Sequence, residues 1–310
     1  MILEAVPVTF PEPHRASRSS RTGRQATTPE PCKVKPSATT RKKVYERRDA
    51  VVKVIKAAFP PGHDISYQSH KIIGSLGRNT AANPVDDIDL LVHLFIDEDL
   101  WNRRYRDDSS EFLYRVRKVL NEKSPVRKIG SRGQAVRFFY ADGLSVDVAP
   151  VEKYEGGDYA IPDGAGKWLR TNPGKHEAHL NERNGAVEGD LKKIIRFAKK
   201  WNKAHSSNLS SFHLEMLVAR TFTVLGNDSR EALQYFFHHN RNNLSVQDPA
   251  GHSGDLSRYL TLGAHVALNF AFNAALSRAT AANEAEERGD HREAIRLWRI
   301  ILGDDFPMYG

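Results

Sequence analysis

The sequence predicts a mixed α/β fold of the α+β kind, in which a lobe built on a sheet is followed by a helical lobe. Short β-rich apolar runs alternate with helical patterns up to about residue 172, whereas only helical patterns follow Lys175. Between them, residues 152–172 are rich in Gly, Asp, Pro and Tyr. Such a composition is typical of irregular chain that crosses between two lobes.

The first predicted element is a helix that Thr40 caps and that ends near Phe59, before two prolines and a glycine. One stripe of this helix is apolar and consists of Val44, Val51, Val54, Ile55 and Ala58. A stripe of this kind indicates that one face of the helix packs against a core.

The elements that follow alternate between strands and helices. We predict a short strand at 72–73, a strand that ends near Ile96, a helix that begins at Ser109 or Ser110, and a strand at Val126–Ile129. In the second lobe, helices are expected at about 175–184, 189–204, 210–224, 228–240, 259–281 and 283–301.

Two carboxylates, Asp87 and Asp89, open the strand that ends near Ile96. Residues two apart in a strand point to the same face, so the two acids project together. Neighbouring negative charges cost Coulomb energy, and a divalent cation would remove that cost. Mg²⁺ is the expected ion, because it combines carboxylate ligands with substrate phosphates. The preceding turn, Gly74-Ser75, offers backbone N–H groups and a hydroxyl to a phosphate.

A third acid, Asp147, lies in a predicted hairpin whose turn contains the strong signal Asp142-Gly143. The hairpin places Asp147 in a strand antiparallel to Val136–Tyr140. Its neighbours in the strand are valines, so the carboxylate faces the side opposite to them. For the three acids to meet, the strand of Asp147 must lie beside the strand of Asp87 and Asp89.

These residues, in this order, resemble the nucleotidyltransferase superfamily with polymerase-beta-like palms. More narrowly, they resemble the CD-NTases, bacterial relatives of cyclic GMP-AMP synthase and oligoadenylate synthetase. The narrower resemblance rests on the second lobe, where Arg196–Asn202, RFAKKWN, is similar to the family's R-x-x-K-x-W-N helix. Ser211–Glu215, SFHLE, is similar to its S-Y/F-x-L-E helix start. The resemblance spans about Arg41 to Pro307.

The resemblance implies a nucleotidyltransferase palm with a mixed sheet plus a C-terminal helical lobe. Residues 40–172 would be the palm with an N-terminal spine helix, and 173–310 the helical lobe that closes the nucleotide site. From their Pro-, Ser-, Thr- and Arg-rich composition, residues 1–39 are expected to be a disordered basic leader, with a nucleic-acid-binding arm as the alternative. Asp87, Asp89 and Asp147 would be catalytic and would bind two Mg²⁺ ions, for which Mn²⁺ could substitute. The nucleotide would contact Gly74, Ser75, Arg78, Thr80, Lys199, Ser211 and Phe212.

The implied activity is the joining of nucleoside triphosphates, ATP among them, into a cyclic di- or trinucleotide second messenger. An effector protein in a bacterial anti-phage system would read the product, and a regulatory protein partner is an open option. One alternative is a linear or one-step transferase: an oligoadenylate-synthetase-like enzyme, a tRNA or antibiotic nucleotidyltransferase, or a nucleotidylating toxin. Another is a nucleotide-binding protein without catalysis, which the intact triad disfavours.

Four of these residues also have purely structural alternatives, and other side chains are expected to be merely solvated. Arg78 could be a surface arginine, Thr80 a helix cap and Ser211 another cap, while Phe212 could be ordinary helix core. We expect Lys200 on the surface. The same expectation covers Glu188, Glu215, His176 and His179.

Charge and composition narrow the class of protein. Residues 1–48 hold eleven Lys or Arg and four Glu, so seven of the net eight positive charges lie there and the remainder is almost neutral. This distribution argues against obligatory activation by nucleic acid. No apolar run is long enough to span a bilayer, and no secretory signal is evident, so a soluble, cytoplasmic protein is expected. The single cysteine excludes an internal disulfide and a Cys-based zinc site.

Overall fold

The structure is a computed structural model of the 310-residue chain. It describes residues 34–124, 129–154, 156–187, 191–205 and 209–308, without the side chains of Ser131 and Arg132. Most of the predicted leader, the predicted strand start at Val126, and Glu188 lie outside the described residues.

The first lobe is a mixed α/β lobe, as predicted. Its helices are α1 (Ala38–Ala58), α2 (Gly74–Gly77), α3 (Glu98–Leu100), a π-helical turn (Trp101–Tyr105) and α4 (Ser109–Lys123). Its strands are β1 (Ile65–Ile72), β2 (Asp87–Ile96), β3 (Ile129–Arg132), β4 (Ala135–Phe139), β5 (Ser145–Lys153), β6 (Tyr159–Pro162) and β7 (Trp168–Thr171).

The second lobe is helical, which confirms the sequence prediction. It contains α5 (Pro173–Ala186), α6 (Leu191–Ala204), α7 (Ser211–Thr221), α8 (Ser229–Asn240), α9 (Leu262–Glu287) and α10 (His291–Leu302). Trp201 lies at its centre, fully buried, with its ring 4.7 Å from that of Phe272 and 5.2 Å from that of Phe237. These rings and the surrounding aliphatic side chains form the core of the lobe.

The strands of the described residues form one mixed sheet in the order β1-β2-β5-β4-β3, with β6 paired to β5 and β7 paired to β6. Strands β2 and β5 are parallel, and the other pairs are antiparallel. The predicted hairpin corresponds to β4 and β5. The expectation that the strand of Asp147 lies beside that of Asp87 and Asp89 is therefore confirmed.

The two faces of the sheet have different roles. Ile88, Leu90 and Val92 of β2 are 0% exposed and belong to the core that the sheet shares with α1 and α4. Because side chains alternate along a strand, the odd-numbered residues of β2 face the other side, where only a small apolar cluster around Leu91 and Val151 forms. The acids lie on this less covered face.

The start of α1 differs from the prediction. The cap of α1 is Ser37, whose hydroxyl accepts the N–H of Thr40 at 3.0 Å, so the helix begins earlier than expected. Val34 is also buried, against the core of the helical lobe, and the predicted disordered leader up to residue 39 is wrong for its described part.

The boundary between the last two helices was predicted too early. Helix α9 continues to Glu287, and the break comes at Gly289, whose φ is +80°. Asp290 then caps α10 by accepting the N–H of Glu293. The alanines of α9 are good helix formers, and Ala279 and Ala282 are fully buried, so the sequence contains no reason to stop at 281.

The described residues contain no helix that is both long enough and apolar enough to cross a membrane.

Candidate active site

Three carboxylates meet where β2 and β5 run side by side. Asp89 and Asp147 are direct register partners, and Asp87 lies two residues before Asp89 on the same face. All three line a cleft of about 440 Å³ together with Ile73, Gly133, Gln134, Ala135, Ala149 and Ile161. The structure therefore brings together the triad that the sequence predicted.

Arg137 also belongs to this cluster, and sequence reasoning missed it. Its Nε and Nη2 each lie 2.5 Å from an oxygen of Asp147, and Nη2 lies 3.7 Å from Asp87. The hydrogen bond to Asp147 raises the pKa of the guanidinium, with the charges of Asp87 and Asp89 adding to the effect. Arg137 thus offsets part of the negative charge that first suggested a cation.

A signal for Arg137 was present in the sequence. Arg137 is the cross-strand partner of Asp147 in the β4–β5 hairpin. Directly opposite residues in an antiparallel pair lie on the same face, and opposite charges there attract. Counting outward from the predicted turn would have paired the arginine with the acid.

The Gly74-Ser75 turn and the residue before it lie directly against Asp89. Gly74 has φ +61°, and a Cβ there would lie 1.8 Å from Oδ2 of Asp89. The N–H of Ile73 donates to the carbonyl of Asp89 at 2.9 Å. Gly77 is equally constrained, because a Cβ there would lie 2.5 Å from the carbonyl oxygen of Ile72. The predicted role of Gly74 was room for a phosphate, and the structure shows that the carboxylate of Asp89 needs this room as well.

Behind the turn lies a buried network of charges. Glu215 of α7 is 0% exposed, and its carboxylate accepts from Nε of Arg78 at 2.6 Å and from the hydroxyl of Thr80 at 2.8 Å. Nζ of Lys199 in α6 donates to the same carboxylate at 2.5 Å. The alternatives of a surface arginine and a helix cap are therefore wrong for Arg78 and Thr80, and so is the surface position of Glu215.

A family model supplies the observation that decides the kinship of this chain. The model of the Second Messenger Oligonucleotide or Dinucleotide Synthetase domain matches residues 32–184, which contain the triad and the Gly74-Ser75 turn. The chain carries this synthetase domain and is similar to the CD-NTases.

Known relatives and solved structures agree with this assignment. A probable cyclic nucleotide synthase of Bacillus cereus (strain VD146) is 28% identical over 280 residues, 78% of this chain and 84% of the relative. The cyclic AMP-AMP-AMP synthase of an Acinetobacter strain is 25% identical over 257 residues, 76% of this chain and 71% of the relative. The fold is that of CdnC from Escherichia coli MS115-1, solved with ATP, at a TM-score of 0.72, 19% identity and coverage of 89% and 95%.

The two lysines of α6 differ from the sequence prediction. Lys199, predicted to contact the triphosphate, is 9% exposed and points its ammonium at Glu215 and at the carbonyl of Thr80. Lys200, predicted on the surface, is buried, with Nζ 2.5 Å from Asp305. The reason is tertiary, because α6 is enclosed by α5, α7, α8 and α10, which leaves it no broad solvent face.

The start of α7 carries the other two predicted contacts. Ser211 is exposed as the first helical residue, while the cap is Ser210, which accepts the N–H of His213. Phe212 is half-buried between two polar groups, with its ring centroid 4.5 Å from the ring of His176 and 4.9 Å from the guanidinium of Arg78. Base stacking on Phe212 stays a prediction.

His176 is not on an exposed helix turn as predicted. Its Nε2 lies 2.8 Å from Asp248, and burial lowers the pKa of the imidazole although the charge of Asp248 opposes this shift. Asp248 also accepts N–H groups from its own loop, at Ala250 and Ser253. The pair therefore attaches this loop to α5 beside Phe212.

The triad fits a hard divalent cation in the chemistry of its donors. The donors are carboxylates on adjacent strands in register, which are the ligands that Mg²⁺ prefers. No three acidic, histidine or cysteine side chains of the described residues already converge as a metal site. Both oxygens of Asp147 are engaged by Arg137 in this arrangement. Metal binding stays a prediction.

Proposed function

We propose that this protein joins nucleoside triphosphates, ATP among them, into a cyclic di- or trinucleotide in a Mg²⁺-dependent reaction. The observation that carries the proposal is the parallel pairing of β2 and β5, which sets Asp89 opposite Asp147 beside the Gly74-Ser75 turn. Carboxylates and a phosphate-binding turn at one place are what nucleotidyl transfer requires. The name of the Acinetobacter relative and the structure of CdnC with ATP support ATP as a substrate.

In this proposal the carboxylates of Asp87, Asp89 and Asp147 hold two Mg²⁺ ions, with Mn²⁺ as a substitute. When bound, the ions supply positive charge to the phosphates and lower the pKa of a ribose hydroxyl. Arg137 keeps the Asp147 carboxylate oriented toward the cleft.

The chain's own residues would position the substrates. The Gly74-Ser75 turn binds triphosphate oxygens of the donor, and Ser211, at the exposed start of α7, contacts them from the helical lobe. A hydroxyl of the acceptor then attacks the α-phosphorus, a new P–O bond forms, and pyrophosphate leaves. Repetition of the same step between the ends of the linear product closes the ring, so one triad serves every bond.

The biological setting is proposed from the same kinship. CdnC has been solved in complex with a HORMA protein, which supports a regulatory protein partner for this chain. We propose a cytoplasmic role in anti-phage signalling, where nucleoside triphosphates are available and an effector protein reads the product. We propose no obligatory activation by nucleic acid, because the net charge outside the first 48 residues is close to zero.

Product analysis tests the proposal. The full chain is incubated with Mg²⁺ or Mn²⁺ and each labelled nucleoside triphosphate, alone and in mixtures, and the products are treated with phosphatase and identified by mass. We expect a phosphatase-resistant cyclic product that is lost in Asp147→Asn and in the double variant Asp87→Asn/Asp89→Asn. Asp86→Asn is the matched control, since this acid is 67% exposed and pairs only at the surface with Lys203.

Other products would decide for the alternatives. Products that phosphatase degrades would indicate a linear oligonucleotide, and label that moves only to added tRNA, antibiotic or protein would indicate a one-step transferase. Equal activity of Asp147→Asn and the wild type would remove the triad from the mechanism.

A further inference from the structure

Glu215 is the most buried charged group at the boundary between the lobes. It comes from the helical lobe, yet two of its three side-chain partners, Arg78 and Thr80, belong to the palm. Two guanidinium nitrogens of Arg78, Nε and Nη2, donate to the Glu215 carboxylate at 2.6 and 3.2 Å. One carboxylate therefore binds the two lobes together directly behind the phosphate turn.

The segment from residue 78 to residue 81 is held from both sides. Thr80 donates its N–H to the carbonyl of Ser75 at 2.8 Å, so the contact of Thr80 with Glu215 continues to the phosphate turn. Arg196 of α6 donates to the carbonyls of Asn79, at 2.5 Å, and Ala81, at 3.2 Å. Movement of Glu215 would thus be transmitted to Ser75 through two hydrogen bonds.

The charges in this network do not balance without Glu215. Three cations face one another here, Arg78 after α2 and Lys199 and Arg196 on α6, while Glu215 is the acid in contact with two of them. Burial opposes ionisation of Glu215, but the charges of Lys199 and Arg78 outweigh it, and the pKa of Glu215 lies below its ordinary value. The carboxylate is charged, and it offsets the repulsion between its partners.

We infer that Glu215 is a positioning residue for the triphosphate, because it holds Lys199 and Arg78 behind the Gly74-Ser75 turn and supplies the negative charge that keeps both cations there. This inference rests on the proposed function, in which the Gly74-Ser75 turn binds the triphosphate of the donor nucleotide, and it adds the ammonium of Lys199 to the charges that serve this triphosphate. Glu215 itself would touch neither substrate nor metal. Its effect would pass through Lys199 and through the Thr80–Ser75 hydrogen bond.

The inference predicts a pH effect on nucleotide binding. Burial lowers the pKa of Lys199. The charge of Glu215 opposes this shift, whereas the charges of Arg78 and Arg196 add to it. Without the Glu215 charge, the pKa of Lys199 falls further and the ammonium is lost at a lower pH. Nucleotide affinity that depends on this charge must then decline at a lower pH as well.

The experiment measures the Kd of a non-hydrolysable ATP analogue for the full chain between about pH 7.5 and about pH 10, where the triphosphate is fully ionised. For Glu215→Gln we expect the midpoint of affinity loss to move down by about one pH unit or more. Glu215→Asp keeps the charge and should keep the wild-type midpoint. Glu177→Gln is the matched control, because Glu177 also pairs with a lysine across the lobes, Lys71 at 2.6 Å, but is not buried.

The outcomes separate positioning from a merely structural role. An unchanged midpoint in Glu215→Gln, or an equal shift in Glu215→Asp, overturns the inference. If Glu215→Gln does not fold, Thr80→Val is the second variant. It removes one donor to Glu215 without changing any charge, and we expect a Kd several-fold higher at every pH. An unchanged Kd in Thr80→Val would count equally against the inference.

The same preparation distinguishes this inference from the proposed function. A wild-type chain that binds the analogue but forms no cyclic product counts against cyclic synthesis and leaves the role of Glu215 in binding standing. A chain that forms the product with an unshifted Glu215→Gln midpoint counts against Glu215 alone.

Discussion

Gly74 is constrained both by its backbone conformation and by its contact with an acid of the candidate site. It adopts φ +61°, which L side chains rarely take, and it lies against the Asp89 carboxylate. The two constraints have different consequences. The positive φ bears on stability alone, whereas the close approach bears on where Asp89 points.

Gly74→Ala is therefore expected to reduce activity far more than backbone strain alone would. A Cβ 1.8 Å from Oδ2 must displace the acid. A displacement of about 1 Å at a reacting centre costs on the order of 100-fold in rate. Turnover and denaturant unfolding, measured on the same samples, check this expectation.

Gly143→Ala is the control for the effect of backbone strain alone. Gly143 also has a positive φ, +85°, but a Cβ there meets nothing within 4 Å. Its alanine variant should lose about 1 to 2 kcal/mol of stability and keep its activity. Similar turnover of the two alanine variants would show that contact with Asp89 is unimportant.

At the scale of elements, two neighbouring serines at the N-terminus of α7 differ in their contacts. The hydroxyl of Ser210 is committed to the N–H of His213 at 3.3 Å, as a cap. Ser211 begins the helix with its side chain exposed. A cap stabilises the fold, whereas an exposed hydroxyl is available to a ligand.

Substitution of each serine by alanine should separate these roles. Ser210→Ala is expected to lower the free energy of unfolding by about 1 kcal/mol. Ser211→Ala should leave stability within about 0.5 kcal/mol of the wild type and raise the KM for nucleoside triphosphate. Denaturant unfolding and steady-state kinetics test the pair. A stability loss confined to Ser211→Ala would reverse the assignment of the cap.

At the scale of the whole molecule, the first described residues contact the helical lobe, although the palm follows them in the sequence. Val34 is 7% exposed within the core of the helical lobe, and its carbonyl accepts the N–H of Asn83 at 2.9 Å. Ser37 then caps α1. The segment of residues 34–37 therefore connects the two lobes.

Two truncations test this connection. Removal of residues 1–33 should leave stability and nucleotide binding unchanged, because it spares Val34 and Ser37. Removal of residues 1–38 should cost about 2 to 3 kcal/mol, since it takes away a buried valine and a helix cap. The free energy of unfolding in denaturant distinguishes them, and equal values would show that the 34–38 segment contributes nothing.

The sequence by itself determined the acidic triad and the order of the lobes. Side-chain alternation and turn chemistry act over a few residues, so Asp87, Asp89 and the hairpin of Asp147 could be predicted from local pattern. The same locality explains why most helices were predicted to within a few residues of their ends.

Only the tertiary structure decided which charged residues are buried. Glu215 and Lys200 lie on helices whose patterns allow a solvated position, and they are buried because other helices enclose them. Arg78 and Lys199 meet Glu215 across 137 and 16 residues of chain. Pairing over such separations depends on how the helices and the two lobes pack, and local pattern carries no information about it.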